Sequence, residues 1–114
     1  MWGVCLDNQA MDVGLFQAVI RYEIDHLNNT VVVTLPKTDL RLCVEKIKQL
    51  PSPPKFVYGD KVHLCHSGLK GVISAIIWHF KLNCCYYMVE VDGKMNRKRY
   101  YDSDLRAWED TNDR

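Results

Sequence analysis

The feature that most limits this chain lies at its middle: Pro51-Ser52-Pro53-Pro54. Each proline fixes φ and lacks an amide proton, so three in four residues can continue neither a helix nor a central strand. The stretch reads as a stiff, extended connector between residues 1–50 and residues 55–110. A chain of 114 residues can bury a proper core, but a unit near fifty residues is marginal alone. Two such units gain by packing together, and a short proline joint favours that over free tumbling.

The second unit reads as strands. Phe56-Val57-Tyr58-Gly59-Asp60-Lys61 leads into Val62 and Leu64. Ser67-Gly68-Leu69-Lys70-Gly71 is a glycine-bounded turn. The run from Val72 to Phe80 is dense in β-branched and aromatic residues, as a long strand should be. Ile73 and Ile76 share a face there only if a bulge lies near Ser74-Ala75. Leu82-Asn83 turns the chain, and Tyr87, Val89 and Val91 then alternate with Met88, Glu90 and Asp92, the period of a half-buried strand. Asp92-Gly93 suits a type I′ hairpin, which needs positive φ at both central residues. A strand through Lys98–Tyr101 follows. Asp102-Ser103-Asp104-Leu105 makes one helical turn, capped by Asp102 or Ser103 with Leu105 inward, and Ala107-Trp108 is a last short strand.

The series Gly-Asp-Lys-Val (59–62), Gly-Val-Ile-x-x-Ile (71–76), an aromatic strand ending in Val-Asp-Gly (91–93) and Arg-Tyr-Tyr-Asp-Ser-Asp-Leu (99–105) resembles Tudor- and KOW-type SH3-like small barrels. The order of five strands carries the resemblance, over about half the chain. It implies a binding module for nucleic acid, peptides or modified side chains.

In the first unit, Val13, Phe16, Ile20, Ile24 and Leu27 have helical spacing, while Phe16, Ala18, Ile20, Tyr22 and Ile24 alternate equally well. Leu40, Cys43, Val44, Ile47 and Leu50 also suit a helix. An offset of 58 residues, however, sets Val4 on Val62, Leu6 on Leu64, Ile20 on Trp78, Tyr22 on Phe80 and Val31 on Val89. It continues with Val33 on Val91, Arg41 on Arg99, Ile47 on Leu105 and Leu50 on Trp108. The expected fold is therefore all-β, a tandem of two SH3-like small barrels over 1–50 and 55–110. The alternative is an α+β first half with one barrel after it.

Formal net charge is +1, which gives no bulk attraction to nucleic acid or membrane. Residues 1–54 carry five Lys/Arg against six Asp/Glu and residues 55–114 ten against eight, with four of the ten in Lys94–Arg99. The start Met1–Asp7 lacks a signal-peptide pattern, and the apolar run Val72–Trp78 is too short to span a bilayer. Five cysteines, two of them adjacent at Cys84-Cys85, then read as reduced thiols in a cytoplasmic protein.

His63, Cys65, His66, Cys84 and Cys85 are metal-binding types, but neighbours on a strand point to opposite faces and no Cys-x₂-Cys knuckle is present. No metal or other cofactor is expected. Cys65 with His63 or His66 is the only nucleophile pair worth naming, and the phosphate-loop, dinucleotide and nucleophile-elbow patterns are absent, so an enzyme is not expected.

The informative surface is basic and aromatic. With Tyr87 inward, Tyr86 faces out, as does one of Tyr100 and Tyr101. The run Lys94-Met95-Asn96-Arg97-Lys98-Arg99 follows a tight turn. Trp78, Tyr86, Lys94, Arg97, Lys98, Arg99 and Tyr100 form the expected binding set, cations for phosphates and rings for stacking. The partner is nucleic acid or an acidic protein. Against this, the run is equally a solvated hairpin whose charges guard a sheet edge, with Glu90, Asp92, Asp102 and Asp104 to neutralise it. The rival function is a protein–protein inhibitor or immunity-type protein acting through a strand edge or the groove between barrels.

Overall fold

Where helical and alternating patterns compete in the first fifty residues, alternation prevails. A computed structural model describes residues 1–108, without the side chains of Gln9, Asp12 and Val13. Val13 and the expected end of the second unit at residue 110 thus lie outside the described side chains or residues. The chain is all-β. Its first half holds β1 (Trp2–Cys5), β2 (Val19–Asp25), β3 (Thr30–Leu35), β4 (Arg41–Cys43) and β5 (Ile47–Gln49). Its second half holds β6 (Lys61–Leu64), β7 (Lys70–His79), β8 (Cys84–Val91), β9 (Lys94–Tyr100) and β10 (Leu105–Ala107). Only short 3-10 turns interrupt them among the described residues, at Asn8–Val13, Val44–Lys46 and Asp102–Asp104. No helix among the described residues is long and apolar enough to cross a membrane.

The two sheets have the same order. The first runs β4-β3-β2-β1-β5 and the second, read the same way, β9-β8-β7-β6-β10, with every pairing antiparallel. In each, one 3-10 turn joins the two outermost strands, β4 to β5 and β9 to β10. A link of three residues in the first sheet and four in the second, between opposite edges, requires each sheet to roll until those edges are close. Matching hydrogen bonds fix the equivalence. Leu50 N–H donates to Trp2 O at 2.9 Å, as Trp108 N–H does to Lys61 O at 3.0 Å. Leu6 N–H donates to Lys46 O at 2.7 Å, as Cys65 N–H does to Asp104 O at 2.9 Å.

The offset of 58 holds toward the end of each half. Leu42 faces Val31 as Tyr100 faces Tyr87, and Ile47 faces Cys5 as Leu105 faces Leu64. It fails over the first three strands, and Val31 stands in the place of Tyr87, not of Val89. The long connection 6–18 corresponds to the short turn 65–69, so the partner of Ile20 in the repeat is Gly71, not Trp78. The match of Val4 with Val62 is one residue out, which on a strand means the opposite face. The counterpart of Val62 is Gly3. On this shared rung Gly3 faces Ile20 and Val62 faces Gly71. One glycine per rung is what tight rolling needs, and the two halves place it on opposite strands. A Cβ at Gly3 would meet Ile47 Cγ2 at 2.7 Å and Tyr22 Cε1 at 2.9 Å, and one at Gly71 would run into Val89.

Local signals in the second half behave as their chemistry dictates. Asp92 and Gly93 both have positive φ, 52° and 77°. The pairing of β7 with β8 slips between Ile73 and Ala75, where Ser74 Oγ donates to Met88 O at 3.1 Å. The turn at 102–104 is capped differently from expectation. Tyr101 N–H donates to the Asp104 carboxylate at 2.9 Å, because a carboxylate three residues ahead can reach back to the entering amide. Leu105 is buried as expected.

Two apolar clusters form. Cys5, Ala10, Leu15, Ala18, Ile20, Tyr22, Val31, Val33 and Leu42 fill the first sheet. The second gathers Val62, Leu64, Ile73, Ile76, Tyr87, Val89, Tyr100 and Leu105, with Phe56 set edge-on to Tyr87, their ring centroids 5.5 Å apart. Val4, Val19 and Leu50 belong to this second cluster although they lie in the first half. β1 and β2 are therefore apolar on both faces, one inside their own sheet and one against the other. Polar ties reinforce the joint. Ala18 bridges Ile77, Trp78 N–H donates to Gln17 O at 2.9 Å, and the Tyr58 hydroxyl donates to Val19 O at 2.8 Å. Burial pushes the Tyr58 and Tyr87 hydroxyl pKa values up, so both stay protonated donors.

Candidate binding cleft

Strand alternation decides which residues of β7 and β8 leave the core. Ile76 and Tyr87 point in, so Ile77 and Tyr86, which pair across the two strands, point out. Beyond them the chain turns at Phe80–Asn83, where Asn83 takes a positive φ of 56° and Leu82 N–H donates to His79 Nδ1 at 3.1 Å. This pinned hairpin leaves Phe80 45 % exposed.

A cleft of about 200 Å³ opens here, lined by Gln17, Trp78, His79, Phe80, Lys81, Tyr86 and Arg99. Apart from Gln17 its walls are rings and cations, and no carboxylate lines it among the described residues. The Arg99 guanidinium lies 4.8 Å from the centroid of Tyr86, which is also flanked by His79, edge-on at 6.2 Å, and by Tyr101, tilted at 6.1 Å. From the other sheet, Lys48 Nζ sits 5.3 Å from the Trp78 centroid and 5.9 Å from that of Phe80. Gln17, also from the first half, has φ of 66°, a conformation that side chains other than Gly, Asn and Asp seldom adopt and that tends to gather at functional sites.

The expected binding set divides. Trp78, Tyr86 and Arg99 line this cleft. Trp78 is only half-exposed, however. It is wedged at the junction of the sheets, where its Nε1 is buried with no hydrogen-bond acceptor among the described residues. Lys94, Arg97 and Lys98 are exposed along β9 but do not line the cleft. Tyr100 is a correction: it is 6 % exposed, packs in the second core and accepts from Asn96 Nδ2 at 2.8 Å. Its pairing with Tyr87 turns it inward, so Tyr101 is the outward member of the pair and Lys98 covers the Tyr100 ring from outside, at 5.5 Å.

The acids expected to neutralise the basic run do not form ion pairs with it. The ion pairs among the described residues are Arg41–Asp25 at 2.9 Å and His66–Asp104 at 3.9 Å, the second requiring a protonated imidazole. The edge-guarding role finds partial support, since Asn96 Oδ1 accepts from Lys98 N–H at 3.0 Å and so occupies one amide of β9. Two of the cysteines, Cys85 and Cys5, are shifted away from activation. Burial, with Asp102 and Cys84 nearby, pushes the Cys85 thiol up to about 11, and burial raises Cys5 as well, the opposite of what a nucleophile needs.

Lys48, Gln17, Phe80 and Lys81 fall outside the expected set. Phe80 and Lys81 carry a signal in the sequence, since they adjoin the Leu82-Asn83 turn. Lys48 carries none, because its place over Trp78 depends on how the halves meet.

The chain belongs to a family of unknown function, DUF6960, whose model matches residues 10–106, from before β2 into β10, and includes the connector. No curated protein and no solved structure matches the chain.

Proposed function

We propose that this protein is a non-enzymatic binding module, built as two SH3-like small barrels, that holds nucleic acid through the basic and aromatic surface of its second sheet. The observation that carries this reading is the cleft walled by rings and cations, with no carboxylate among the described residues that line it. Such a wall favours a ligand that is negatively charged and has flat faces, which is the chemistry of a nucleotide. Lys94, Arg97 and Lys98, free of ion pairs among the described residues, extend the positive surface along β9. The five free thiols accord with work in a reducing cytoplasm.

The test is a titration of the full chain against oligonucleotides at two salt concentrations, with Arg97, Lys98 and Arg99 replaced together by alanine in parallel. The variant should keep its fold and bind more weakly, and its salt slope should fall by roughly one for each phosphate no longer neutralised. Wild-type binding weaker than about 10⁻⁴ M at low salt, below ordinary non-specific association, ends the reading.

The rival is a protein–protein inhibitor. One feature favours it, a groove of about 210 Å³ between the proline connector and Trp78, Cys84 and Cys85. Binding to a protein partner with no affinity for oligonucleotides would select it.

A further inference from the structure

Phe80 and Lys48 hold an arrangement that says more about the ligand. Phe80 is a large ring left half in solvent on a hairpin that is itself pinned. Over its face lies an ammonium on a flexible stem from the other sheet, shared with Trp78. A cation over an exposed ring is held weakly, whereas stacking of a base on an aromatic ring is the stronger interaction. The cleft beside them is about 200 Å³, room for one flat ring system rather than a paired duplex. In a duplex the bases are already stacked on one another and only phosphates and groove edges are offered.

We infer that the cleft takes one unpaired base of a single-stranded nucleic acid. The base stacks on Phe80 in place of the Lys48 ammonium, which moves to a neighbouring phosphate of the same strand, while Arg99 stays on Tyr86 and faces the other. This rests on the nucleic-acid reading above and narrows it to single strands. It also makes the site composite. Lys48 and Gln17 come from the first half and Phe80, Tyr86 and Arg99 from the second, so the docking of the two sheets is what assembles it. The exchange needs no core rearrangement, because Lys48 is exposed.

The test uses the full chain and three probes of one length: a mixed-sequence DNA single strand, its duplex, and an abasic sugar-phosphate strand. The single strand should bind at least about fivefold tighter than the abasic one, as the absence of one stacked base implies. Phe80→Ala should cost roughly 5- to 150-fold for the single strand, leave the salt slope unchanged and leave abasic binding as it was. Lys48→Gln should lower the slope by roughly one and keep the preference for a strand with bases. An unchanged melting temperature in both variants shows that the fold is intact. If the abasic strand or the duplex binds as tightly as the single strand, or Phe80→Ala keeps the preference, the base site is overturned and the wider reading stands. If none of the probes binds at low salt, both fall.

Discussion

The two halves share a strand order and differ in what they leave outside. In the first, the turn after β2 satisfies its own polar groups. Asp25 accepts from Leu27 N–H and Asn28 N–H, and from Asn28 Nδ2 and Arg41 at 2.8 and 2.9 Å. These bonds, Asn28 and Arg41 foremost, hold its carboxyl at about 2. In the second, cations lie over rings, Lys98 on Tyr100, Arg99 on Tyr86 and both Lys61 and Lys70 on Trp108, with centroid distances of 4.3 to 5.5 Å. One architecture thus supports a turn whose carboxylate is taken up by neighbouring side chains and backbone and a face whose charges remain available. Strand order determines where surface residues sit, and the local acid–base balance determines whether they are free to bind.

If the halves unfold together, they differ in surface but not in core. Ile20 and Ile76, both fully buried, anchor the two clusters. Ile20→Ala and Ile76→Ala should each cost about 2–5 kcal/mol through reduced burial and a residual cavity. Because Val4 and Val19 of the first half lie in the second core, both variants should lower a single unfolding transition seen alike by far-UV circular dichroism and tryptophan fluorescence. Two separate transitions, each sensitive to only one substitution, would break the idea of a shared core.

A smaller effect tests the equivalence of the sheets. Gly3→Ala and Gly71→Ala should each destabilise by about 1–3 kcal/mol in denaturant melts, the usual cost of overpacking. Both glycines sit on the same rung, so a neutral outcome at either would mean that this sheet tolerates a looser roll than the other.

Tyr58→Phe probes the polar tie between halves. It removes the donor to Val19 O without changing the ring, and stability should fall by about 1 kcal/mol. A change in melting temperature no larger than that of an exposed control would leave the joint to apolar packing alone.

The smallest effect belongs to Asp25. Its carboxyl is depressed in the folded state to about 2 from an ordinary value of 3.8. It therefore contributes stability above pH ~4 that fades as pH falls through about 2, since the unfolded chain takes up the proton more readily. Asp25→Asn should flatten that part of the stability–pH curve by lowering stability slightly at neutral pH, with the difference from wild type shrinking as pH falls toward 2. A variant whose acid limb matches the wild type would assign the acid sensitivity elsewhere.

Local chemistry is enough to specify the connector, the strands of the second half, the hairpin at Asp92-Gly93 and the bulge near Ser74. The signals are missing amide protons, period-two alternation, positive φ and a slip in apolar phase. The repeat is legible only in part, because an offset of 58 matches true equivalents around the last two strands of each half and not before them. Packing settles what remains. Tyr100 and Tyr101 are adjacent and alike, and the register of β9 against β8 selects which is buried, something no local pattern encodes. The first three strands escape the simple offset because the connections before β2 and β7, and those before β4 and β9, differ in length. Lys48 reaches the cleft because β1 and β2 are apolar on both faces and draw the second sheet against the first. A cluster shared across the joint forms from burial summed over distant residues, and that sum is fixed by packing rather than by neighbours along the chain.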